Sequence, residues 1–233
     1  MALTKKKPKV IQAEEVETLV ELFIRKIKEN FRWTLCIVAA FCIIGVIFWG
    51  YLKYSQSQNE QAAYAYYLIV KELSSSGTNP DKLEKDILDF LKNYNNHPLS
   101  VLVRLELVRM DVDNKNWERA IKEGEAGLQK LPPSSPLRPF FLRYLAIAYG
   151  EQKYSDRAIN YWDELARIAP EEWKREIYWR KGLILAAEGK IEEATASWRE
   201  ALKANGVFPT EDLIRERINS KHKSESASSA DSK

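Results

Sequence analysis

The chain has 233 residues, with 36 Lys or Arg against 33 Asp or Glu, a formal net charge of +3, and 45% hydrophobic and 30% charged residues; this excludes a wholly disordered chain and suits one domain with appendages. Two Cys and two His exclude a disulfide-stapled scaffold and a zinc site built from Cys and His alone. Nine Gly amid many Ala, Leu, Glu, Lys and Arg point to an all-α protein.

The N-terminal segment, residues 1–32, holds eight Lys or Arg and five Glu. Within it Val16, Leu19, Val20, Phe23 and Ile27 fall on one helical stripe. That short amphipathic helix either lies on a membrane surface or docks a partner helix, or it extends the next segment downward. Residues 33–52 read WTLCIVAAFCIIGVIFWGYL, with no charge. Twenty residues at 1.5 Å each span about 30 Å, the thickness of a bilayer core. Trp33 stands at one edge, and Trp49, Tyr51 and Tyr54 at the other, where aromatic rings favour the interface. Arg25, Lys26, Lys28 and Arg32 precede the segment and only Lys53 follows closely. The positive side stays in the cytoplasm, so residues 53–233 are expected outside. The apolar run is too long for a cleaved signal core, and no small-residue cleavage site follows closely. Phe41 before Cys42 argues against a lipoprotein acceptor. The expectation is an uncleaved transmembrane signal anchor, with Cys36 and Cys42 as small apolar residues inside it.

Residues 53–233 carry 28 charges of each sign, which argues against nucleic acid. Two helices, about 56–74 and 80–95, flank SSSGTNP and form an N-terminal pair over residues 53–98, a degenerate repeat or a cap. Residues 99–220 contain three similar segments. They are NKNWERAIKEGEAGLQKLP, QKYSDRAINYWDELARIAP and EGKIEEATASWREALKANG, aligned on Ala120, Ala158 and Ala194. The spacings of 38 and 36 residues lie near the tetratricopeptide period of about 34. Pro132, Pro133 and Pro136 fall in a linker. Each unit is expected to be two antiparallel helices. Ala146 and Gly182 are small positions on the first helix, and Trp162 and Trp198 are large rings on the second. The first unit departs from this, with Val108 and Gly124 at those places. A unit cannot bury its apolar face alone, so stacking builds the core. A short helix near 209–219 closes the array, with Ile214 and Ile218 covering the last repeat. Residues 221–233, polar and low in complexity, read as a disordered tail. The fold class is therefore all-α: one N-terminal transmembrane helix, then a tetratricopeptide-like α-solenoid of antiparallel helix pairs.

No nucleophile elbow, phosphate loop, H-E-x-x-H or C-x-x-C is present. His97 precedes Pro98 in a turn, and His222 lies in the tail. Glu171–Glu172 and Glu192–Glu193 sit at helix starts, where they favour the helix dipole. The expectation is a protein that is not an enzyme, with no cofactor, no metal and no small-molecule substrate. The first helix of each unit would line a polypeptide-binding groove with Leu105 and Arg109, then Phe140, Arg143 and Ile147, then Glu176, Trp179 and Leu183. The arginines would bond carbonyls or carboxylates. The alternative is that these side chains only pack against neighbouring helices.

The stretches LELVRMDVDNKNWERA (Leu105 to Ala120) and KGLILAAEGKIEEATASWREAL (Lys181 to Leu202), and the ending EDLIRERINS, all behind the anchor, resemble the bacterial ancillary subunit of the Sec translocon. The resemblance runs roughly over residues 14–219. It implies a cell inner-membrane, single-pass protein with a periplasmic domain. It also implies association with the Sec translocon and with a membrane-anchored periplasmic peptidyl-prolyl isomerase, in aid of exported client polypeptides. The carboxylate clamp of cytosolic heat-shock partners needs Lys and Asn where this chain has Leu105 and Arg109. A different reading is a structural scaffold for another envelope complex, such as cell-division or cell-wall machinery.

Overall fold

The computed structural model describes residues 31–230 apart from Ser76 and Thr78, and the chain divides into two units, residues 1–61 and 62–233. The stripe from Val16 to Ile27 lies outside the described residues. Helix α1, Phe31–Leu73, has residues in both units. No Gly or Pro occurs between Gly50 and Gly77, so nothing interrupts the backbone ladder. The helix expected at 56–74 is thus the end of α1 and not a separate element.

In the first unit, the large apolar residues between Phe41 and Trp49 are at least 60% exposed. Among the described residues no helix is long and apolar enough to cross a membrane.

The second unit begins where α1 gains partners. Ala62 and Ile69 are buried with Leu83, Ile87 and Phe90 of α2 (Pro80–Tyr94) and Val103 and Leu107 of α3 (Ser100–Asp113). Helix α2 starts at a built cap. The Asn79 side chain accepts from Asp81 N and Lys82 N at 3.0 and 3.4 Å, and Pro80 needs no partner at the first helical position. Three antiparallel pairs then follow: α3 with α4 (Trp117–Gln129), α5 (Arg138–Glu151) with α6 (Ser155–Ile168), and α7 (Glu171–Ala187) with α8 (Ile191–Lys203). Each pair also packs on the next, giving an all-α solenoid of nine helices among the described residues.

The repeat is visible in the backbone of the three intra-pair turns. Lys115, Lys153 and Gly189 have φ of 60°, 61° and 77°. The following N–H groups of Asn116, Tyr154 and Lys190 donate five residues back, to Asp111 O, Tyr149 O and Leu185 O, at 2.7, 2.9 and 2.9 Å. This left-handed helix end favours Gly, yet two of the three carry Lys. Replacing Lys115 or Lys153 by Gly should therefore stabilise by about 0.5–1 kcal/mol, the left-handed penalty exceeding the entropy Gly adds to the unfolded chain. A higher urea midpoint with unchanged slope is the expected result.

Size complementarity joins the helices of each pair. Trp198 is fully buried over Gly182, where an added Cβ would stand 2.3 Å from its Nε1. Trp162 and Ala146 share a cluster with Leu142, Leu165 and Ile177. The first repeat departs from this: Val108 is buried on α3, and Gly124 on α4 takes its close contact from the next pair, where Leu145 Cδ2 of α5 would meet an added Cβ at 2.8 Å.

The last helix, α9, runs Glu211–Ala230 and packs on α8, with Ile214 fully buried. The helical backbone continues to Ala230, beyond the end near 219 expected of the closing helix. The stretch from Glu211 to Ala230 holds neither Gly nor Pro, so no local signal stops it.

Candidate protein-interaction face

Helices α3, α5 and α7 are the first helices of the three pairs, and they carry every residue expected in the groove. On α3, Leu105 is half-buried. Arg109 is tied to its own helix, with Nε on Glu106 at 2.9 Å and Nη1 on Asp113 at 3.2 Å. At 40% side-chain exposure these bonds hold the guanidinium in place without burying it. Such exposed intrahelical pairs contribute little to stability.

The residues from α5 and α7 do converge. Arg143 Nη2 donates to both carboxylate oxygens of Glu176, at 2.9 and 3.0 Å. Arg180 Nε donates to Glu176 Oε1 at 2.7 Å. Trp173 completes the cluster: the Phe140 ring meets it edge-on, with centroids 5.3 Å apart at 81°, and the Arg143 guanidinium carbon lies 5.7 Å from its centroid. Both geometries match the charge distribution of aromatic rings. Phe140 remains 40% exposed. Arg143 Nε is buried with no partner among the described residues. The cluster joins two repeats while keeping aromatic and cationic surface at hand.

Burial opposes ionisation of Glu176, but the hydrogen bonds from Arg143 and Arg180 outweigh it and hold the carboxyl below its ordinary value of 4.5. A folded-state value below the unfolded one stabilises above pH 4.5 and is lost as pH falls through the folded value. Glu176→Gln should therefore lower Tm at neutral pH and flatten its acid limb below about pH 5. Thermal melts at a series of pH values check this. A substitution that shifts Tm equally at every pH would contradict it.

Next to this cluster a cleft of ≈ 440 Å³ opens between α5, α6 and α7, lined among others by Ile147, Gly150, Trp162, Arg180, Leu183 and Ile184. Ile147 of α5 and Leu183 of α7 line this cleft with Arg180. Trp179 does not. It is 8% exposed, its ring centroid is 5.9 Å from that of Trp198, and its carbonyl accepts from Trp198 Nε1 at 3.2 Å. It belongs to the core between α7 and α8 with Ala194, Ala201 and Ile214, because α7 is packed on two sides and position 179 turns toward α8. The groove assignment of Trp179 is corrected accordingly.

Trp173 and Arg180 were missed in the sequence. Their signal is helical spacing: Trp173, Glu176 and Arg180 stand three and four residues apart and share a face. Among the described residues no cluster of three or more His, Cys, Asp or Glu could hold a metal. Helix α9 packs on α8 and meets α7 through Glu211, 3.5 Å from Arg175 Nη2.

The family model described as a tetratricopeptide repeat-like domain matches residues 27–221. Comparison with curated proteins finds no match.

Proposed function

Since this chain belongs to the tetratricopeptide repeat-like family, a fold of interaction scaffolds, we propose that it is a membrane-anchored, non-enzymatic scaffold that binds polypeptide along α3, α5 and α7. The observation that carries this reading is the Phe140–Trp173–Arg143–Glu176–Arg180 cluster. It is ordered by cross-repeat contacts, half open to solvent, and continuous through Arg180 with an apolar cleft. Ordered aromatic and Arg groups are what protein interfaces use as anchors.

The anchor is supported by the twenty uncharged residues from Trp33 to Leu52 and by the row of exposed apolar side chains on α1. In water each Å² of that surface costs about 25 cal/mol, a penalty a bilayer removes. With Arg25, Lys26, Lys28 and Arg32 on the cytoplasmic side, the repeats lie in the periplasm. There the scaffold serves the Sec translocon and its membrane-anchored peptidyl-prolyl isomerase, receiving newly exported chains.

A photo-crosslinking residue in place of exposed Phe140, used in growing cells, tests this. Adducts with translocon subunits, the isomerase or exported chains are the expected result. Adducts confined to cell-division or cell-wall proteins would replace the export role with that of an envelope scaffold. No adducts from Phe140 while a control site on α9 reacts would remove the interaction face itself.

A further inference from the structure

The loop between α8 and α9 contains the chain's one Asn–Gly pair, Asn205–Gly206, and its surroundings are unusual. Arg175 of α7 clasps the loop on both sides of the pair: its Nε donates to Ala204 O at 3.0 Å, and its Nη2 lies 3.5 Å from a Glu211 carboxylate oxygen. Asn205 is exposed, and neither its side-chain amide nor the Gly206 N–H bonds to any described residue. Gly206 has φ of 155°, and a Cβ there would lie 2.9 Å from both Glu172 O and Arg175 Cβ. The seat therefore demands glycine, the residue that least hinders attack by its own nitrogen on a preceding side chain.

We infer that Asn205 is a site of spontaneous deamidation in the folded protein. The Gly206 nitrogen loses its proton and bonds to Asn205 Cγ, the bond from Cγ to the amide nitrogen breaks, and ammonia leaves. Water then opens the five-membered imide. Cleavage of the Cγ–N bond gives aspartate, and cleavage of the original main-chain bond gives isoaspartate. No oxidant or reductant is involved. Both products place a new carboxylate in the loop that Arg175 holds. The isoaspartyl product also adds one main-chain carbon between the two pinned points, which displaces Gly206 from its seat against Glu172 O.

The test incubates the full chain in detergent at mildly alkaline pH, folded, and follows each Asn-containing peptide by mass spectrometry. Asn114 is one internal comparator, because the following Lys115 N–H is engaged on Val112 O at 3.2 Å; Asn160, inside α6, is another. The peptide carrying Asn205 should shift from amide to acid mass before either comparator, yielding both aspartyl and isoaspartyl forms. Asn205→Gln should remove the early release of ammonia. Retention of the Asn205 amide for as long as those of Asn114 and Asn160 would overturn the inference. So would ammonia release unchanged by Asn205→Gln, or conversion seen only in denaturant.

Discussion

Trp198→Ala should destabilise the repeat unit by about 3–5 kcal/mol, lowering Tm by roughly 6–20 °C. Three separate contacts end with that ring. Its indole fills the space above Gly182, where nothing larger than hydrogen fits. Its Nε1 donates to Trp179 O at 3.2 Å, a fully buried bond. Arg217 of α9 places its guanidinium carbon 5.8 Å from the ring centroid, so the closing helix rests on it as well. The effect should thus reach beyond α7 and α8: hydrogen exchange in α9 between Glu211 and Ser220 should accelerate before that in α3 and α4. Trp198→Phe, which keeps an aromatic ring but not the indole donor, should cost less, about 1–2 kcal/mol for the lost hydrogen bond and the smaller volume. Gly182→Ala attacks the same contact from the other side and should cost about 1–3 kcal/mol through overpacking. Denaturant titrations separate the three. Equal losses for Trp198→Phe and Trp198→Ala would mean the hydrogen bond, not the ring volume, carries the site.

The second large effect lies at the other end of the array. Asp111 is fully buried on α3, and Arg119 of α4 binds it with Nε at 2.8 and 2.9 Å and with Nη2 at 2.5 Å. Arg119 Nη1 also reaches Glu84 of α2 at 2.6 Å, so one guanidinium joins three helices. A buried carboxylate stripped of its partner is among the costlier defects in a protein interior. Arg119→Met should therefore cost about 3–5 kcal/mol. Arg119→Met combined with Asp111→Asn should recover part of that loss, since the buried charge is gone, and the double-mutant cycle measures the coupling. Additive losses would show that Asp111 is stabilised by something other than Arg119. Lysine cannot replace the fork that meets both carboxylate oxygens, and Arg119→Lys should rescue only in part.

The helical-hairpin architecture was legible because it is written in short-range terms. The spacing of Ala120, Ala158 and Ala194 by 38 and 36 residues recurs in the left-handed residues Lys115, Lys153 and Gly189. One turn geometry serves all three pairs. The small-over-large pairing of Gly182 with Trp198 was likewise readable, since it needs only the two positions and the knowledge that they face each other. The candidate face was readable in outline. Phe140, Arg143 and Glu176 lie on the helices expected to form it, and the helical period places Trp173 and Arg180 on the same side of α7 as Glu176.

The all-α solenoid class, the repeat register and the twenty-residue uncharged stretch follow from this amino-acid sequence by itself, because periodicity, turn residues and charge act within a few residues of one another. Tertiary structure alone decided that Trp179 turns into the core while Trp173 stays near the surface, that Arg119 ties three helices through buried Asp111, and that Arg143 and Glu176, 33 positions apart, share one pair of hydrogen bonds. These depend on which side of a doubly packed helix meets its neighbour. The angle between helices sets that, and no pattern local to either helix contains it.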